Sequence, residues 1–214
     1  KRGVIVGQQT FGKGSVQNLF DLDRFMRGSG YGQLTLTIGK YYRITGESTQ
    51  HRGVMPDISL PSMVDASIVG ESTRDSALPW DRIQQTSFMT DADLDPYLQL
   101  LQTRHTERAM EDPDYNHLVD NIEAAGFFRN QDEVSLNIDV RTAEREDIQA
   151  QQLARENERR VALGLNPIGS MEEIDASEPT DVLLKQATQV VVDIATLSSS
   201  TRASIIGSET ALIH

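Results

Sequence analysis

The chain has 214 residues, of which 38% are hydrophobic and 24% are charged, and its net charge is −12. This length allows one large domain, or one domain and a substantial part of another, and the composition is too apolar for a wholly disordered chain. The acidic balance argues against non-specific nucleic-acid binding, because such binding needs Lys and Arg to displace counterions from phosphates. The chain has no cysteine, so disulfides, thiolate metal sites and cysteine nucleophiles are excluded.

The sequence divides after Ser62 into two parts of different chemistry. Residues 1–62 carry 8 Lys or Arg against 4 Asp or Glu, a net charge of +4, and hold 10 of the 15 glycines. Residues 63–214 carry 12 basic against 28 acidic residues, a net charge of −16. The contrast predicts an α+β chain, with a β-rich domain at 1–62 and an acidic, mainly α-helical domain at 63–214.

Short apolar or alternating segments predict the strands of the first domain. They are bounded by glycines and turn residues, and the longest of them alternates leucine and isoleucine with threonine. The predicted strands are 3–7, 16–22, 33–43 and 54–60.

Capping residues and helical spacing predict the helices of the second domain. Asp95 before Pro96, and Asp112 before Pro113, each place an N-cap in front of a proline at the first helical position. The second of these helices is expected to end where Gly126 supplies a left-handed residue. Further along, the pattern predicts a strand at 133–140, a highly charged helix at 141–163 and an amphipathic helix at 183–194.

Lys13 stands in a glycine-rich run, from Gly7 to Gly14, that nearly matches a phosphate-binding loop. In such a loop a Ser or Thr follows the lysine and a helix begins there, whereas here Gly14 leads into a predicted strand, which disfavours nucleotide binding. A lysine amine can also take a proton from a serine hydroxyl, provided that its surroundings favour the uncharged form. The flanking glycines would let the backbone pack closely and leave the amine in a dehydrated slot. Spacing alone leaves open the alternative of an ordinary surface lysine in a turn.

The other candidate residues give weaker signals. Ser15 lies two residues after Lys13, on the same face of a strand, and is interpreted as a strand or turn serine. The four histidines lack the spacing of metal ligands, so neither a metal nor another cofactor is expected. They are His51, His105, His117 and His214.

Two motifs resemble the carboxy-terminal processing proteases, the tail-specific peptidases that use a serine/lysine dyad. The first comprises residues 3–7 and the run Thr-Phe-Gly-Lys-Gly-Ser-Val-Gln at 10–17, and the second comprises residues 41–46 and 53–57. The acidic helical remainder, including the charged stretch around 145–160, is similar to the C-terminal extension of the long periplasmic members of Gram-negative bacteria. The resemblance therefore covers most of the chain.

The resemblance implies that Lys13 is the general base and that Gln17 assists it, since the Gln17 amide can hydrogen-bond the lysine amine. In that chemistry a serine attacks the scissile carbonyl, lysine takes and returns the proton, and backbone amides hold the oxyanion. Without the resemblance, Gln17 is equally well interpreted as an ordinary polar strand residue. The family's nucleophilic serine and its PDZ-like module precede the lysine, where this chain has twelve residues and no serine. Residues 1–214 alone are therefore expected to lack peptidase activity.

The resemblance also implies a function, a location and partners. It implies the C-terminal portion of a periplasmic serine endopeptidase for proteins with disordered, apolar C-termini, with a tetratricopeptide-repeat lipoprotein adaptor as a further partner. The alternative hypothesis is a non-catalytic helical interaction module that docks an adaptor or packs on the protease core. The two hypotheses differ at Lys13, which only the protease requires. No membrane span is expected, because the sequence has no run of about 20 apolar residues.

Overall fold

The computed structural model describes residues 3–89, 94–174 and 181–211, with side chains described up to residue 197. The chain forms two compact units, Lys1–Leu94 and Asp95–His214. In the described residues, strands and turns make up the first unit and four α-helices the second, which confirms the predicted α+β class. These units are defined by packing and divide the chain after Leu94. They do not test the predicted domain boundary after Ser62, which stays a prediction.

The first unit contains two small sheets. Its strands are β1 (Val6–Gly7), β2 (Ser15–Asp21), β3 (Gln33–Lys40) and β4 (Ile58–Ser59). β1 pairs with β4 in parallel, and β2 pairs with β3 antiparallel. The strands predicted at 16–22 and 33–43 are confirmed to within a few residues, whereas those predicted at 3–7 and 54–60 shrink to two residues each. Ile58 is fully buried and Leu60 is 7% exposed, so the apolar core of this unit lies at β4.

Residues 63–89 pack in the first unit, although their composition groups them with the acidic part of the sequence. The Ser48 N–H donates to the Asp81 carbonyl oxygen at 3.2 Å, and the Ile83 N–H donates to the Gly46 carbonyl oxygen at 2.8 Å. The Trp80 indole N–H also donates to the Ser48 carbonyl oxygen, at 2.9 Å. These hydrogen bonds attach the segment to the turn that follows β3.

The second unit consists of α1 (Asp95–Glu111), α2 (Pro113–Arg129), α3 (Ile138–Ala162) and α4 (Val182–Ala211). Asp112 caps α2 as predicted, because its side chain accepts a hydrogen bond from the Asp114 N–H and Pro113 takes the first helical position. α1 begins at Asp95 itself, one residue before the predicted start. None of the helices in the described part of the chain has the length and apolar character needed to cross a bilayer.

Two predictions about this unit are wrong. Residues 133–137 form no strand and lead instead into α3, where the Asn137 side chain accepts a hydrogen bond from the Asp139 N–H at 2.9 Å. An alternating segment becomes a strand only when a partner strand covers it, and here Leu136 is fully exposed. Gly126 does not end α2, because its carbonyl oxygen accepts from the Asn130 N–H and the helix continues to Arg129. A helix-interior glycine costs only about 1 kcal/mol relative to alanine, which packing can offset.

Buried polar contacts join the start of α2 to α4. The Lys185 ammonium lies 2.9 Å from Asp112 Oδ2 and 3.3 Å from Asp114 Oδ2. Gln186 is fully buried and donates its amide to Asp112 Oδ2 at 2.8 Å. The hydrogen bond that the Lys185 ammonium donates to Asp112, with a smaller contribution from the one that it donates to Asp114, outweighs partial burial and raises the pKa of Lys185 above its usual value. The two carboxylates at the start of α2, the N-cap Asp112 and Asp114, therefore also hold α4 in place.

His105 is a packing residue of α1. Its ring is 2% exposed and makes an edge contact with the Tyr115 ring, with 5.9 Å between the ring centres. Burial, with a smaller contribution from the positive charge of Arg108, lowers the pKa of His105, and a contact with Gln186 opposes part of the shift. The imidazole is therefore neutral at pH 7, as burial among packed side chains requires.

Candidate active site

Lys13 lies on a loop whose two flanking glycines are required by close backbone contacts. Gly12 has a φ of 92°, and a Cβ at this position would lie 2.5 Å from the His51 carbonyl oxygen. At Gly14 an added Cβ would lie 2.5 Å from the Gln50 backbone nitrogen. Both glycines are buried. The expectation that the glycines permit close backbone packing is confirmed, and the segment packed against them is the one around Gln50.

The Lys13 amine has two polar neighbours. It donates a hydrogen bond to Ser15 Oγ at 3.0 Å, and it lies 3.8 Å from Glu71 Oε1. The Lys13 side chain is 40% exposed, whereas that of Glu71 is only 7% exposed. The expectation of a dehydrated slot around the amine is therefore wrong for these residues, because the lysine projects from a buried backbone into an open cavity.

The two predicted site residues, Lys13 and Gln17, line the same cavity, which has a volume of about 330 Å³. Lys13, Ser15 and Gln17 lie on its wall, together with Thr37 and Arg74. The Gln17 amide nitrogen donates to Thr37 Oγ1 at 3.2 Å, across the β2–β3 pair. The amide is thus held by the neighbouring strand, and the side chain that Lys13 reaches is Ser15. The catalytic roles of Lys13 and Gln17 remain predictions.

Two buried polar residues behind Lys13 escaped the sequence analysis. Gln50 is fully buried and Glu71 is 5% exposed. Gln50 Oε1 accepts a hydrogen bond from the Gly14 N–H at 2.8 Å, and Gln50 Nε2 donates to Glu71 Oε1 at 3.2 Å. Neither residue belongs to a periodic segment or to a spacing motif with Lys13, so no local pattern indicates them. The proximity of Gln50 and Glu71 to Lys13 arises only in the folded chain, where both residues pack against the lysine loop.

Gly14→Ala is expected to destabilise the first unit by about 1–3 kcal/mol, because the new Cβ meets backbone atoms of Gln50 that cannot easily shift. Trp80 is the only tryptophan of the chain, so its fluorescence during urea unfolding reports the free energy of unfolding of this unit. Gly39→Ala is the matched control, since nothing lies within 4 Å of the Cβ position there. Its expected effect is below about 0.5 kcal/mol. Equal stabilities of the two variants would contradict the close contact at Gly14.

Comparison with known proteins assigns both parts of the chain. Residues 1–60 match the model of peptidase family S41, and residues 64–196 match that of the C-terminal domain of tail-specific protease. The chain is 34% identical over 209 residues to the tail-specific protease of Haemophilus influenzae, which covers 93% of this chain and 30% of the relative.

Two further relatives match shorter stretches. The chloroplastic C-terminal processing peptidase of Tetradesmus obliquus is 37% identical over 71 residues, which are 33% of this chain and 14% of the relative. The carboxy-terminal-processing protease of Bartonella bacilliformis is 43% identical over 58 residues, which are 27% of this chain and 12% of the relative. The chain thus spans less than a third of the length of each of these relatives. Because the match to the C-terminal domain alone covers more than half of the chain, the chain belongs to the tail-specific protease family.

Proposed function

We propose that this chain is the lysine-bearing C-terminal portion of a serine endopeptidase, in which Lys13 is the general base for a serine hydroxyl supplied by an upstream segment. The observation that carries the proposal is the placement of Lys13 on a closely packed, glycine-bounded loop with its amine at a cavity. The 3.0 Å hydrogen bond to Ser15 supports it further, because the amine can approach a hydroxyl at the distance that proton transfer needs. An amine that has taken the serine proton can return it to the leaving amine of the peptide.

Gln17 is proposed to assist Lys13 from the wall of the same cavity. The Thr37 hydroxyl holds the amide nitrogen of Gln17 at 3.2 Å. The amide oxygen of a glutamine can accept a hydrogen bond from an amine, so Gln17 can orient Lys13 when substrate is bound.

The proposed substrates are proteins with disordered, apolar C-termini, and the proposed location is the periplasm. The names of the relatives support action at the C-terminal end of a substrate protein, since they describe a tail-specific protease and two proteases of C-terminal processing. A tetratricopeptide-repeat lipoprotein is the proposed adaptor. No nucleic acid is proposed as a partner, because residues 63–214 carry a net charge of −16.

The alternative function, a helical docking module, is favoured by one feature of the second unit. A cavity of about 530 Å³ opens between α2 and α3, and apolar side chains that include Phe127 and Val134 line it. Phe127 is 67% exposed and Val134 is 57% exposed. Apolar side chains at the surface of this kind can contact a partner protein.

The test uses the full-length protease, meaning this chain joined to the upstream segments of the longer family members. We expect it to degrade a substrate that ends in a disordered apolar tail and to spare the same substrate when the tail ends in several aspartates. Purified residues 1–214 should cleave neither substrate. Equal degradation of both substrates by the full-length protein would contradict tail recognition, and cleavage by residues 1–214 would move the nucleophile into this chain.

A further inference from the structure

We propose that Glu71 is a positioning residue for Lys13, so that the C-terminal domain of the family supplies part of the lysine site. The proposal rests on the proposed role of Lys13 as the general base. Glu71 lies within the match to the C-terminal domain of tail-specific protease, at 64–196, and outside the match to the peptidase family, at 1–60. The structure nevertheless packs it in the same unit as Lys13.

The backbone around Glu71 is fixed next to the lysine loop. The Glu71 N–H donates to the carbonyl oxygen of Phe11, two residues before Lys13, at 3.0 Å. The preceding residue, Gly70, packs against the backbone of Ala66, where an added Cβ would lie 2.6 Å from the Ala66 carbonyl oxygen. A tightly packed turn therefore places the Glu71 carboxylate next to Lys13. The close contacts leave the backbone of this turn little room to move.

The buried Glu71 carboxylate is connected to Lys13 directly, by an ion pair, and indirectly, by hydrogen bonds through Gln50. Its Oε1 atom lies 3.8 Å from the Lys13 amine, and the same atom accepts the 3.2 Å hydrogen bond from Gln50. Gln50 in turn accepts from the N–H of Gly14, the residue after Lys13, at 2.8 Å. One oxygen atom thus connects the end of the lysine side chain to the backbone that carries it.

Positioning explains this arrangement better than neutralisation of charge. The Lys13 side chain is 40% exposed, so water reaches its amine and a buried counter-ion adds little stability. Water cannot fix a side chain that has four rotatable bonds and loses about 2 kcal/mol of rotamer entropy when it is held. Arg74, the other cation at the cavity, lies over the Phe11 ring at 5.7 Å. Lys13 is therefore the cation to which the Glu71 oxygen is directed.

Two conservative variants of the full-length protease distinguish the effect of side-chain length at Glu71 from the effect of its charge. Glu71→Gln keeps an oxygen within reach of Gln50 and Lys13 but removes the charge, whereas Glu71→Asp keeps the charge and shortens the side chain by one methylene. We expect Glu71→Gln to retain kcat within about threefold. We expect Glu71→Asp to lower kcat by roughly 10- to 100-fold with KM unchanged, because a misplacement of about 1 Å costs up to that factor.

The controls distinguish positioning from folding and from failure of the proposed function. Asp75→Asn removes an exposed carboxylate of the same segment and should leave kcat and KM unchanged. If Lys13→Ala is inactive while Glu71→Asp keeps the wild-type kcat, positioning by Glu71 is overturned and the role of Lys13 stands. A lower melting temperature of Glu71→Asp without a loss of kcat overturns it in the same way. Full activity of Lys13→Ala would instead overturn the proposed function itself.

Discussion

Lys13→Ala in the full-length protease should lower kcat by about 100- to 10,000-fold and leave KM nearly unchanged, because alanine can neither take the serine proton nor return it to the leaving group. Lys13 stands at the wall of the cavity, with Ser15 and Glu71 as its polar neighbours, so we expect its loss to leave the core of the first unit intact. The measurement is the rate of degradation of a substrate with an apolar tail, at equal concentrations of folded enzyme.

Lys13→Arg provides the sharper form of this test. Arginine keeps a positive charge near Ser15 and Glu71, but its guanidinium does not give up its proton in proteins. A general base predicts that Arg is as inactive as Ala, whereas a merely structural cation predicts that Arg restores activity. Lys40→Ala is the matched lysine control, since Lys40 is paired with Asp81 at 3.0 Å and lies outside the cavity wall. Undiminished activity of Lys13→Ala would favour the docking-module hypothesis.

Elements that depend on neighbours in the sequence could be predicted from it. Asp112 caps α2 because its side chain reaches an N–H two residues away, and β2 and β3 lie in the segments that the sequence predicts as strands at 16–22 and 33–43. The close backbone approach at the glycines beside Lys13 could also be predicted locally, and the structure shows that contact, whereas the role of Lys13 came from the resemblance to the family and stays a prediction.

Features that depend on distant parts of the chain could not be predicted. The pattern at 133–140 alternates as a strand does, but a strand needs a partner, and sequence periodicity does not show whether one is present. Glu71 and Gln50 illustrate the same limit at the candidate site. Their polarity suggests surface positions, and only the folded chain shows that each is buried and satisfied by the other and by the lysine loop.

A buried ion network in the second unit leads to the largest stability effect that we expect. The Arg159 guanidinium contacts Asp114 Oδ1 at 2.8 Å and both carboxylate oxygens of Glu156, at 3.0 and 3.1 Å. Glu156 is 3% exposed and Asp114 is 9% exposed. Arg159 therefore links the start of α2 to α3, and it is the cation closest to two carboxylates that have little access to water.

Arg159→Ala should destabilise the helical unit by about 3 kcal/mol, because it leaves two buried carboxylates without their closest cation. The value lies at the low end for such a change, since Lys185 still contacts Asp114 at 3.3 Å and Arg160 still lies 4.0 Å from Glu156. Urea unfolding of the 214-residue chain, followed by circular dichroism at a helix-sensitive wavelength, measures the change in the free energy of unfolding.

Arg141→Ala is the matched control for this prediction, because it removes an ion pair of the same length from the same helix. Arg141 and Glu144 are also 2.8 Å apart, but their side chains are 48% and 46% exposed. An exposed pair of this kind contributes less than about 1 kcal/mol, so the control variant should unfold close to the wild type. If the two arginine variants lost the same stability, burial would not be the property that sets the strength of these pairs. A much larger loss of stability in Arg159→Ala than in Arg141→Ala, at equal ion-pair distance, would show that buried ion pairs hold α2 and α3 together.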